Sequence, residues 1–523
     1  MHRFRRLLVV QALAIAMAAG AVPPVIAATD SARHPGALFT LTISGIDRDG
    51  TVISSPSASV YGVNNVSYLS GGSSVNVPAG TYIVAAPIWR PADNGSQTLV
   101  AQKVHVTSNK HVTLDAQGAA AVTATLTGAG GTTQGAQNVE LCFGSGSNLN
   151  AVTGFQVDPT ATAYVKAMSA AGVRTVYQIF WQNGGGVYDL AGAFSGGIPA
   201  HPDYHAQPSG MAKVRVVLPD YENVTPLAIL FTSYDECATS TEPVTGLPAD
   251  YTDYRTPGSW TTNLNFGSLP DHVQRDLYKT ATYQAGHSYT DLFGSAAYGP
   301  GRDFPQIDGT HVVYGPGDLL DDPVAGNGFN CEGRAKVQLK HGPAVVKTQN
   351  LAFCKAPTVF TAHPASSGWY TLTATAVRWN PSGSLPAILL STKVSMSWHF
   401  RYAPVTGHPI NAQAAPVTVT VFQPEGLDIA NAAPPGTTTV KLTILRGGGL
   451  PVPTPKYPLH PVHVQASFDD GLTWHTVSVT PHAGYWLAQV HDSASGYVSL
   501  RSVVTDSHGD STTETIIRAY QVA

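Results

Sequence analysis

Residues 368–374 (GWYTLTA) and 393–398 (KVSMSW) carry the pattern that decides the fold of this 523-residue chain. In both stretches, apolar and polar side chains alternate residue by residue. Successive side chains of a β-strand point to opposite faces of a sheet, so this alternation predicts strands that are buried on one face. The same alternation occurs at 38–43 (LFTLTI) and recurs in about seven runs between 440 and 522. The sequence therefore predicts an all-β fold of tandem β-sandwiches, the last with the strand count of an immunoglobulin- or fibronectin-like domain.

The composition supports this class and argues against a charged partner. Charged residues make up only 12% of the chain, and small residues such as Gly, Ser and Thr take their place. The net charge is −4, and the lysines and arginines are scattered singly along the sequence. From this scatter we predict no basic surface that would bind nucleic acid or anionic lipid.

The first 28 residues have the order of a secretory leader. Three arginines near the N-terminus precede an uncharged apolar run at 7–19, and small residues follow as far as VIAA at 25–28. A membrane span needs roughly 20 apolar residues, more than this run provides. We therefore expect a signal peptide at 1–28 and a secreted, extracellular protein without a membrane span.

Length alone favours three or four domains after the leader. A turn at 47–50 (DRDG) and a PAGTY step at 78–82 mark a first sandwich that resembles prealbumin-like and carboxypeptidase-regulatory-like modules. The run at 161–171 allows a short helix. Pro-rich segments at 434–436 and 451–455 are rigid punctuation around the start of the last domain. The predicted domains are the prealbumin-like sandwich 36–117, a β-rich domain 118–245, a β-sandwich 246–430 and an immunoglobulin/fibronectin-like domain 436–523.

The four cysteines can pair in three ways, and an exported chain favours disulfides over buried free thiols. Cys331 and Cys354 lie at equal sequence distance from a turn dipeptide at 342–343, which strand-like runs flank. A hairpin without a bulge would place these two cysteines opposite each other. Cys142 and Cys237 then remain as the second pair.

Four motifs in the last domain resemble the C-terminal region of large secreted subtilisin-like serine peptidases of the actinobacterial type. They follow the order known from that family, with SFDDGLTW at 467–474, GYVSLR at 496–501, DSHG at 506–509 and TIIRAY at 515–520. Upstream, YQAGHSYT at 283–290 fits as well. The resemblance implies a β-rich, non-catalytic region that extends from residue 36 to 523 and is clearest in the second half.

The catalytic motifs of that peptidase family do not occur in the sequence. The family needs a His-Gly-Thr step and a Gly-Thr-Ser-x-Ala turn, whereas residues 309–311 have the letters Gly-Thr-His in another order. The motifs Gly-x-Ser-x-Gly and His-Glu-x-x-His do not occur either. We predict no catalytic residue, no metal site and no cofactor, in a chain that looks like the accessory part of such a peptidase without its enzyme.

The segment from Ser467 to Trp474 matches the Asp-box consensus S-x-D-x-G-x-T-W, which Thr473 completes. We expect Asp469 to accept hydrogen bonds from the turn backbone, Gly471 to supply a positive φ, and Trp474 to cover the base of the hairpin. A propeller needs several such boxes, so we interpret this single box as a structural turn rather than a glycan-site marker.

Two candidate metal sites have simpler structural explanations. His201, Asp203 and His205 could bind a metal from one face of a strand, but the prolines around them favour a solvated loop. Asp47 and Asp49 resemble part of a calcium loop, but the downstream Glu is missing and a hairpin turn explains them.

Carboxylate pairs and aromatic residues are the remaining candidates. The pairs at 235–236, 321–322 and 469–470 should point to opposite faces of a strand and not converge on a substrate. Four aromatic residues in a polar stretch could stack on sugar rings or peptide, although packing in the core is the more frequent role. They are Tyr251, Tyr254, Trp260 and Phe266.

Two functions remain open from the sequence. The first is a secreted non-catalytic binding or scaffold protein for extracellular peptide or polysaccharide, which could serve a secreted subtilisin-like peptidase as an accessory subunit. The alternative is a secreted hydrolase, of the peptidase family or acting on glycans, whose active site no motif reveals.

Overall fold

The computed structural model confirms an all-β chain. Within the stretches it describes there is no α-helix, and no helix has the length and apolar character needed to cross a bilayer. The described residues include three short 3₁₀ turns, at Pro91–Asp93, Pro208–Gly210 and Pro316–Leu320. The predicted signal peptide lies outside the described residues. These residues are 37–63, 66–144, 150–183, 186–219, 228–234, 237–241, 247–266, 275–301, 304–325, 333–352, 358–378, 389–404, 413–446, 450–451, 458–492 and 495–523.

Strands β1–β40 follow one another along these stretches. The N-terminal strands are β1 (Leu38–Ile46), β2 (Val52–Ile53), β3 (Ala58–Gly62), β4 (Ser67–Gly72), β5 (Ser74–Pro78), β6 (Gly80–Ile88), β7 (Gln97–Val106), β8 (Lys110–Asp115) and β9 (Ala120–Ala121). The middle strands are β10 (Thr123–Leu126), β11 (Thr133–Phe143), β12 (Asn150–Val157), β13 (Ala163–Val165), β14 (Met168–Asn183), β15 (Gly186–Ile198), β16 (Asp203–Ala206), β17 (Ala212–Leu218), β18 (Ala228–Tyr234), β19 (Ala238–Thr241), β20 (Ala249–Arg255), β21 (Gly258–Phe266), β22 (Arg275–Tyr283) and β23 (Ser288–Leu292). The C-terminal strands are β24 (Gln306–Asp308), β25 (His311–Tyr314), β26 (Gly333–His341), β27 (Ala344–Ala352), β28 (Phe360–Ala362), β29 (Gly368–Arg378), β30 (Lys393–Tyr402), β31 (Gln413–Ala414), β32 (Thr418–Pro424), β33 (Ala432–Ala433), β34 (Gly436–Arg446), β35 (Leu450–Pro451), β36 (His463–Ser467), β37 (His475–His482), β38 (Tyr485–Asp492), β39 (Gly496–Thr505) and β40 (Ser511–Val522).

The N-terminal part is a sandwich of two sheets. One sheet has the order β2-β1-β5, with β8 also paired to β1, and the other has the order β4-β3-β6-β7-β13-β9. Alternate residues of both sheets, such as Leu41 on β1 and Val84 on β6, are fully buried in one shared core. The alternation of apolar residues in the sequence thus produces the two inner faces of the sandwich.

The middle part sets a seven-stranded sheet against a four-stranded sheet. Their orders are β12-β11-β14-β15-β20-β17-β23 and β19-β18-β21-β22. A hydrogen bond of 2.6 Å from Gln178 Nε2 on β14 to Thr232 Oγ1 on β18 joins the two sheets inside the sandwich. Polar as well as apolar side chains therefore fill this interior.

The C-terminal part is dominated by a long, curved sheet. Its order is β27-β26-β29-β30-β40-β39-β36-β37-β38-β34-β32, and β33 and β35 attach to β40 and β34. The sheet curves back so that β32, at its end, faces β40, in its middle. Across the core between them, Thr418 Oγ1 donates to Thr512 Oγ1 at 3.2 Å. Trp398 and Phe400 on β30 are fully buried within the fold that results.

Strand pairing crosses the predicted domain boundaries. Strand β7 pairs with β13, β17 pairs with β20 and β23, and β30 pairs with β40 from Lys393↔Ile517 to His399↔Ser511. Pro434 and Pro435 therefore do not detach the last sandwich, since one sheet runs through it and the sandwich before it.

The short helix that the sequence allows at 161–171 does not form, because this stretch lies on two strands. Ala163 and Val165 lie on β13, and Met168 begins β14. Ala163 and Val165 are fully buried, and β13 pairs in parallel with β7. This tertiary pairing outweighs the weak helix propensity of an Ala-rich run.

Candidate binding surface

Ionisable side chains inside the middle sandwich form a group that we name the buried ion cluster. Its carboxylates and its guanidinium are at most 1% exposed, whereas its ammonium group is 25% exposed. The members are Asp189 on β15, Asp253 and Arg255 on β20, Lys279 on β22 and Asp291 on β23.

Arg255 is the centre of the buried ion cluster. Its Nε lies 2.5 Å from Asp253 Oδ2, and its Nη1 lies 3.5 Å from Asp291 Oδ2. Lys279 Nζ is 2.6 Å from Asp291 Oδ1, and the Tyr283 hydroxyl donates to Asp291 Oδ2 at 2.5 Å. One guanidinium is thus shared between two buried carboxylates.

Burial raises the pKa of Asp253 to about 7, although the neighbouring Arg255 guanidinium acts in the opposite direction. A carboxyl group with such a pKa can serve as a general acid or base when a substrate reaches it. The Asp253 side chain is 0% exposed, so the core seals it from any substrate. The buried ion cluster therefore acts on the stability of the sandwich.

The outer face of the C-terminal sheet carries a regular array of hydroxyl groups, which we name the hydroxyl grid. The adjacent strands β29, β30 and β40 each contribute three partly exposed side chains at alternate positions. Eight of the nine side chains are Ser or Thr, and the ninth is His. The cross-strand rows are Thr371-His399-Ser511, Thr373-Ser397-Thr513 and Thr375-Ser395-Thr515.

Most of these hydroxyls are available to a ligand. Thr371 and His399 share a hydrogen bond of 3.1 Å, Thr373 Oγ1 donates to the Gln338 carbonyl, and Thr515 accepts from Arg501 Nε at 3.1 Å. The remaining hydroxyls form no hydrogen bond with another described residue. A hydroxyl both donates and accepts, and strand spacing gives the grid an area of about 10 by 13 Å. The remaining hydroxyls are those of Thr375, Ser395, Ser397, Ser511 and Thr513.

Basic side chains surround the hydroxyl grid, and we name them the cationic frame. Lys336 and Lys340 on β26 lie opposite its first strand, and Arg501 on β39 lies opposite its last strand. Lys393 and Arg401 extend from the two ends of β30 and are exposed. The scatter of these cations along the sequence did not reveal this grouping, because strand register brings together residues that are far apart in the chain. That the surface binds neither nucleic acid nor anionic lipid stays a prediction.

The described strands of this face present no exposed carboxylate. The strands β26, β27, β29, β30, β36, β39 and β40 contain one acidic residue, Glu514, which is 0% exposed and points into the core. The Thr420 amide donates to Glu514 Oε2 at 3.0 Å, and burial raises the pKa of Glu514 well above its usual range. Within the described stretches, no Asp or Glu forms an ion pair with the three lysines of the cationic frame.

An exposed aromatic group lies at one corner of the hydroxyl grid. The Trp369 ring is 37% exposed and stacks on the His399 ring, with centroids 4.9 Å apart and planes 9° apart. The His508 ring lies 6.5 Å from Trp369 on the neighbouring turn. An indole held in this way offers a preformed apolar contact beside the hydroxyls.

The Asp-box turn has the hydrogen bonds that its consensus led us to expect. The Thr473 amide donates to Asp469 Oδ1, and the Gly471 amide donates to Ser467 Oγ, both at 2.8 Å. Gly471 has a φ of +85°, which favours glycine. Hydrogen bonds from Thr473 lower the pKa of Asp469 to about 2, so the carboxylate stays charged in the turn.

Trp474 connects this turn to the cationic frame. Its Nε1 donates to the Gly471 carbonyl at 3.0 Å, and the Arg501 guanidinium lies 3.9 Å above its ring. Trp474 is half-buried. Asp470 forms a two-point ion pair with Arg518, with donor–acceptor distances of 2.8 and 2.7 Å. The turn therefore has a structural role, and it holds Arg501 in place beside the grid.

The structure joins Cys142 to Cys237 by a disulfide, the pair that the sequence analysis reached by elimination. Their Cα atoms are 6.3 Å apart, and 95 residues separate them in the sequence. The bridge ties β11 to the turn before β19, and so holds one sheet of the middle sandwich to the other.

The other predicted pair, Cys331 and Cys354, lies outside the described residues. The hairpin between them is described, and β26 pairs with β27 as expected. A bulge between Leu339 and Lys340 shifts the register by one residue. The bulge-free register that placed the two cysteines opposite each other is therefore wrong.

The His201 region is partly a strand instead of a loop. Strand β16 pairs in parallel with β10, and Tyr204 is buried while His201, Asp203 and His205 are exposed. The prolines flank the strand instead of interrupting it, which explains the error. Asp203 accepts a hydrogen bond from Thr123 Oγ1, and no trio of His, Cys, Asp or Glu in the described stretches is arranged to hold a metal.

The turn after β1 is stabilised by an arginine. The Gly50 amide donates to the Asp47 carbonyl at 3.0 Å, and Gly50 has a φ of +90°. Arg90 lies 2.5 Å from Asp47 and 2.6 Å from Asp49. A guanidinium thus supplies the countercharge for both carboxylates.

The structure places the aromatic candidates mainly in the core. Trp260 is fully buried, Tyr254 stacks on Tyr188 with centroids 4.8 Å apart, and Tyr251 is half-buried. The Phe266 side chain lies outside what the structure describes. Tyr251, Tyr254 and Trp260 therefore do not form a common stacking surface.

The carboxylate pairs differ from one another. Asp321 and Asp322 are both buried, so the predicted alternation between faces is wrong for them, because they follow a 3₁₀ turn and not a strand. Asp322 Oδ2 accepts from the Gly294 and Ser295 amides. Asp469 and Asp470 have different partners, and the pair at 235–236 lies outside the described residues.

Comparisons with known proteins place this chain in no family. No protein-family model and no curated protein matches it. Among solved structures, it is similar to the Bacillus anthracis TIE protein (11% identity, 49% of this chain, 50% of that chain, TM-score 0.13). It is also similar to the chicken CNTN1 FN1–FN3 domains (9% identity, 66% of this chain, 94% of that chain, TM-score 0.14). A third similar structure is a putative membrane anchored protein from Corynebacterium diphtheriae (11% identity, 75% of this chain, 97% of that chain, TM-score 0.12). The chain spans half the length of the first of these, and TM-scores this low say nothing about function.

Proposed function

We propose that this chain is a secreted, non-catalytic binding or scaffold protein that contacts its ligand through the outer face of the C-terminal sheet. The observation that carries the proposal is the placement of charge. The carboxylates of the buried ion cluster are sealed in the core, whereas the hydroxyl grid and the cationic frame face outward. Catalysis needs a reactive group within reach of a substrate, while binding needs only an open, patterned surface.

The hydroxyl–imidazole pairs on the surface lack the third group that a serine hydrolase needs for acyl transfer. His399 bonds to Thr371 at 3.1 Å, and His111 bonds to Ser44 at 2.8 Å. In a serine-hydrolase triad, a carboxylate orients the imidazole and stabilises its positive charge. Within the described residues, neither His111 nor His399 is hydrogen-bonded to a carboxylate.

The chain's resemblance to the C-terminal region of subtilisin-like peptidases suggests a protein partner. A separately encoded peptidase of that type would make this chain its accessory subunit. Co-elution of the two purified proteins in gel filtration tests the pairing, and separate elution contradicts it.

The non-catalytic assignment is tested by incubating the purified chain with a fluorophosphonate probe, with casein and with plant polysaccharides. We expect no covalent labelling and no hydrolysis, because no hydroxyl–imidazole pair of the described residues is completed by a carboxylate. Labelling of any serine, or hydrolysis that Ser44→Ala or Thr371→Val abolishes, would establish the alternative, a hydrolase.

A further inference from the structure

We propose that the hydroxyl grid and the cationic frame bind an acidic polysaccharide, of the class whose sugar rings carry carboxylates. The inference rests on the proposed function, because it names the ligand class of the same surface. Its basis is the complementarity between this face and such a polymer in charge, in hydrogen bonding and in apolar contact.

Charge complementarity is the first argument. The chain as a whole has a net charge of −4, yet this face has five basic side chains and no exposed acid on its strands. Its lysines are not engaged by carboxylates of the described residues. Their ammonium groups can therefore meet a ligand's carboxylates without breaking an internal ion pair.

The neutral centre of the surface is the second argument. Between the cations lies the hydroxyl grid, in which Ser397 and Thr513 occupy the middle row with hydroxyls that have no internal partner among the described residues. Sugar hydroxyls need partners that both donate and accept, which Ser and Thr provide. Trp369 adds an apolar face on which a sugar ring can stack.

The spacing of the cations argues against nucleic acid. A nucleic-acid strand carries one phosphate for about every 3.4 Å of helix axis and favours a dense basic groove. Here Lys336 flanks Thr375 on β29, and Lys393 lies on β30, the second strand from β26, so about 10 Å of sheet separates their strands. A polymer with carboxylates separated by uncharged hydroxyls fits this pattern better.

The experiment measures binding of the full chain to polygalacturonate by affinity electrophoresis. Binding to dextran, to single-stranded DNA and to phosphatidylglycerol vesicles is measured separately for comparison. We expect retardation by polygalacturonate that weakens with added salt, and little by dextran. The double variant Lys336→Gln/Lys393→Gln should weaken binding about tenfold. Trp369→Ala should weaken it as well, whereas the matched control Lys103→Gln/Lys110→Gln, with both lysines exposed on the N-terminal sandwich, should bind as the parent does.

Each contrary outcome has a defined meaning. Equal binding of dextran, or tighter binding of DNA or vesicles, would overturn the acidic-polysaccharide assignment. An equal loss in the control variant would place the site elsewhere. If polygalacturonate does not bind at all, the inference fails while the non-catalytic assignment stands, because that assignment is judged by labelling and hydrolysis.

Discussion

The buried ion cluster and the cationic frame are built from the same kind of sequence, and their surroundings differ. Both use charged residues at alternate strand positions, such as Asp253 and Arg255 on β20 and Lys336 and Lys340 on β26. The first pair faces another sheet and is fully buried, whereas the second pair faces outward. The layer that a strand faces, and not its own residues, therefore decides whether a charged side chain stabilises the core or is exposed to a ligand.

The largest expected difference between the two regions is the cost of removing an arginine. Arg255→Met leaves Asp253 in the core without its ion-pair partner and should lower the free energy of unfolding by about 3–5 kcal/mol. Arg401→Met, on the open face, should change it by less than about 0.5 kcal/mol. Urea denaturation of both variants measures the contrast. Equal effects would mean that the buried ion cluster is open to water.

The second expected difference is in pH dependence. Because burial raises the pKa of Asp253 to about 7, the folded state binds a proton that the unfolded state releases near pH 4. The stability contributed by this proton is present at acid pH and is lost as the pH rises from about 4 to about 7.

The variant Asp253→Asn isolates this effect, since the amide has nearly the same shape and does not ionise. Relative to the parent, the variant should gain at least about 1.4 kcal/mol of stability between pH 4 and pH 7, the value of one pKa unit. Thermal denaturation at a series of pH values gives the comparison. Parallel curves for parent and variant would show that Asp253 ionises as an ordinary carboxyl group.

The alternation of apolar and polar residues in the sequence was sufficient to predict which side chains of a strand point into the core. The pattern at 368–374 predicts that Tyr370 and Leu372 point inward, and both are at most 1% exposed. The Ser and Thr residues on the other side of β29 are visible in the same pattern. Their alignment with the Ser and Thr residues of β40 is not visible there, because β30 pairs with a strand more than a hundred positions away in the sequence.

The turns that were predicted depend on neighbouring residues, whereas the contacts that were missed depend on the order of strands in a sheet. The Asp-box turn follows from its own letters, since Ser467, Asp469 and Gly471 hydrogen-bond within the turn. Arg255 and Asp291 meet only because β20, β17 and β23 are neighbours in one sheet. A charged residue at an inward strand position, such as Arg255 beside Tyr254, was the signal that could have revealed the buried ion cluster.

Lysine footprinting shows whether the outer face of the C-terminal sheet is the contact surface. The full chain is acetylated with and without polygalacturonate, and the rate at each lysine is read by mass spectrometry. We expect the ligand to slow acetylation of Lys336, Lys340 and Lys393 and to leave Lys103 and Lys110 unchanged, although all five are at least partly exposed in the free protein. Protection of Lys103 and Lys110 with no change at Lys336 and Lys393 would contradict it.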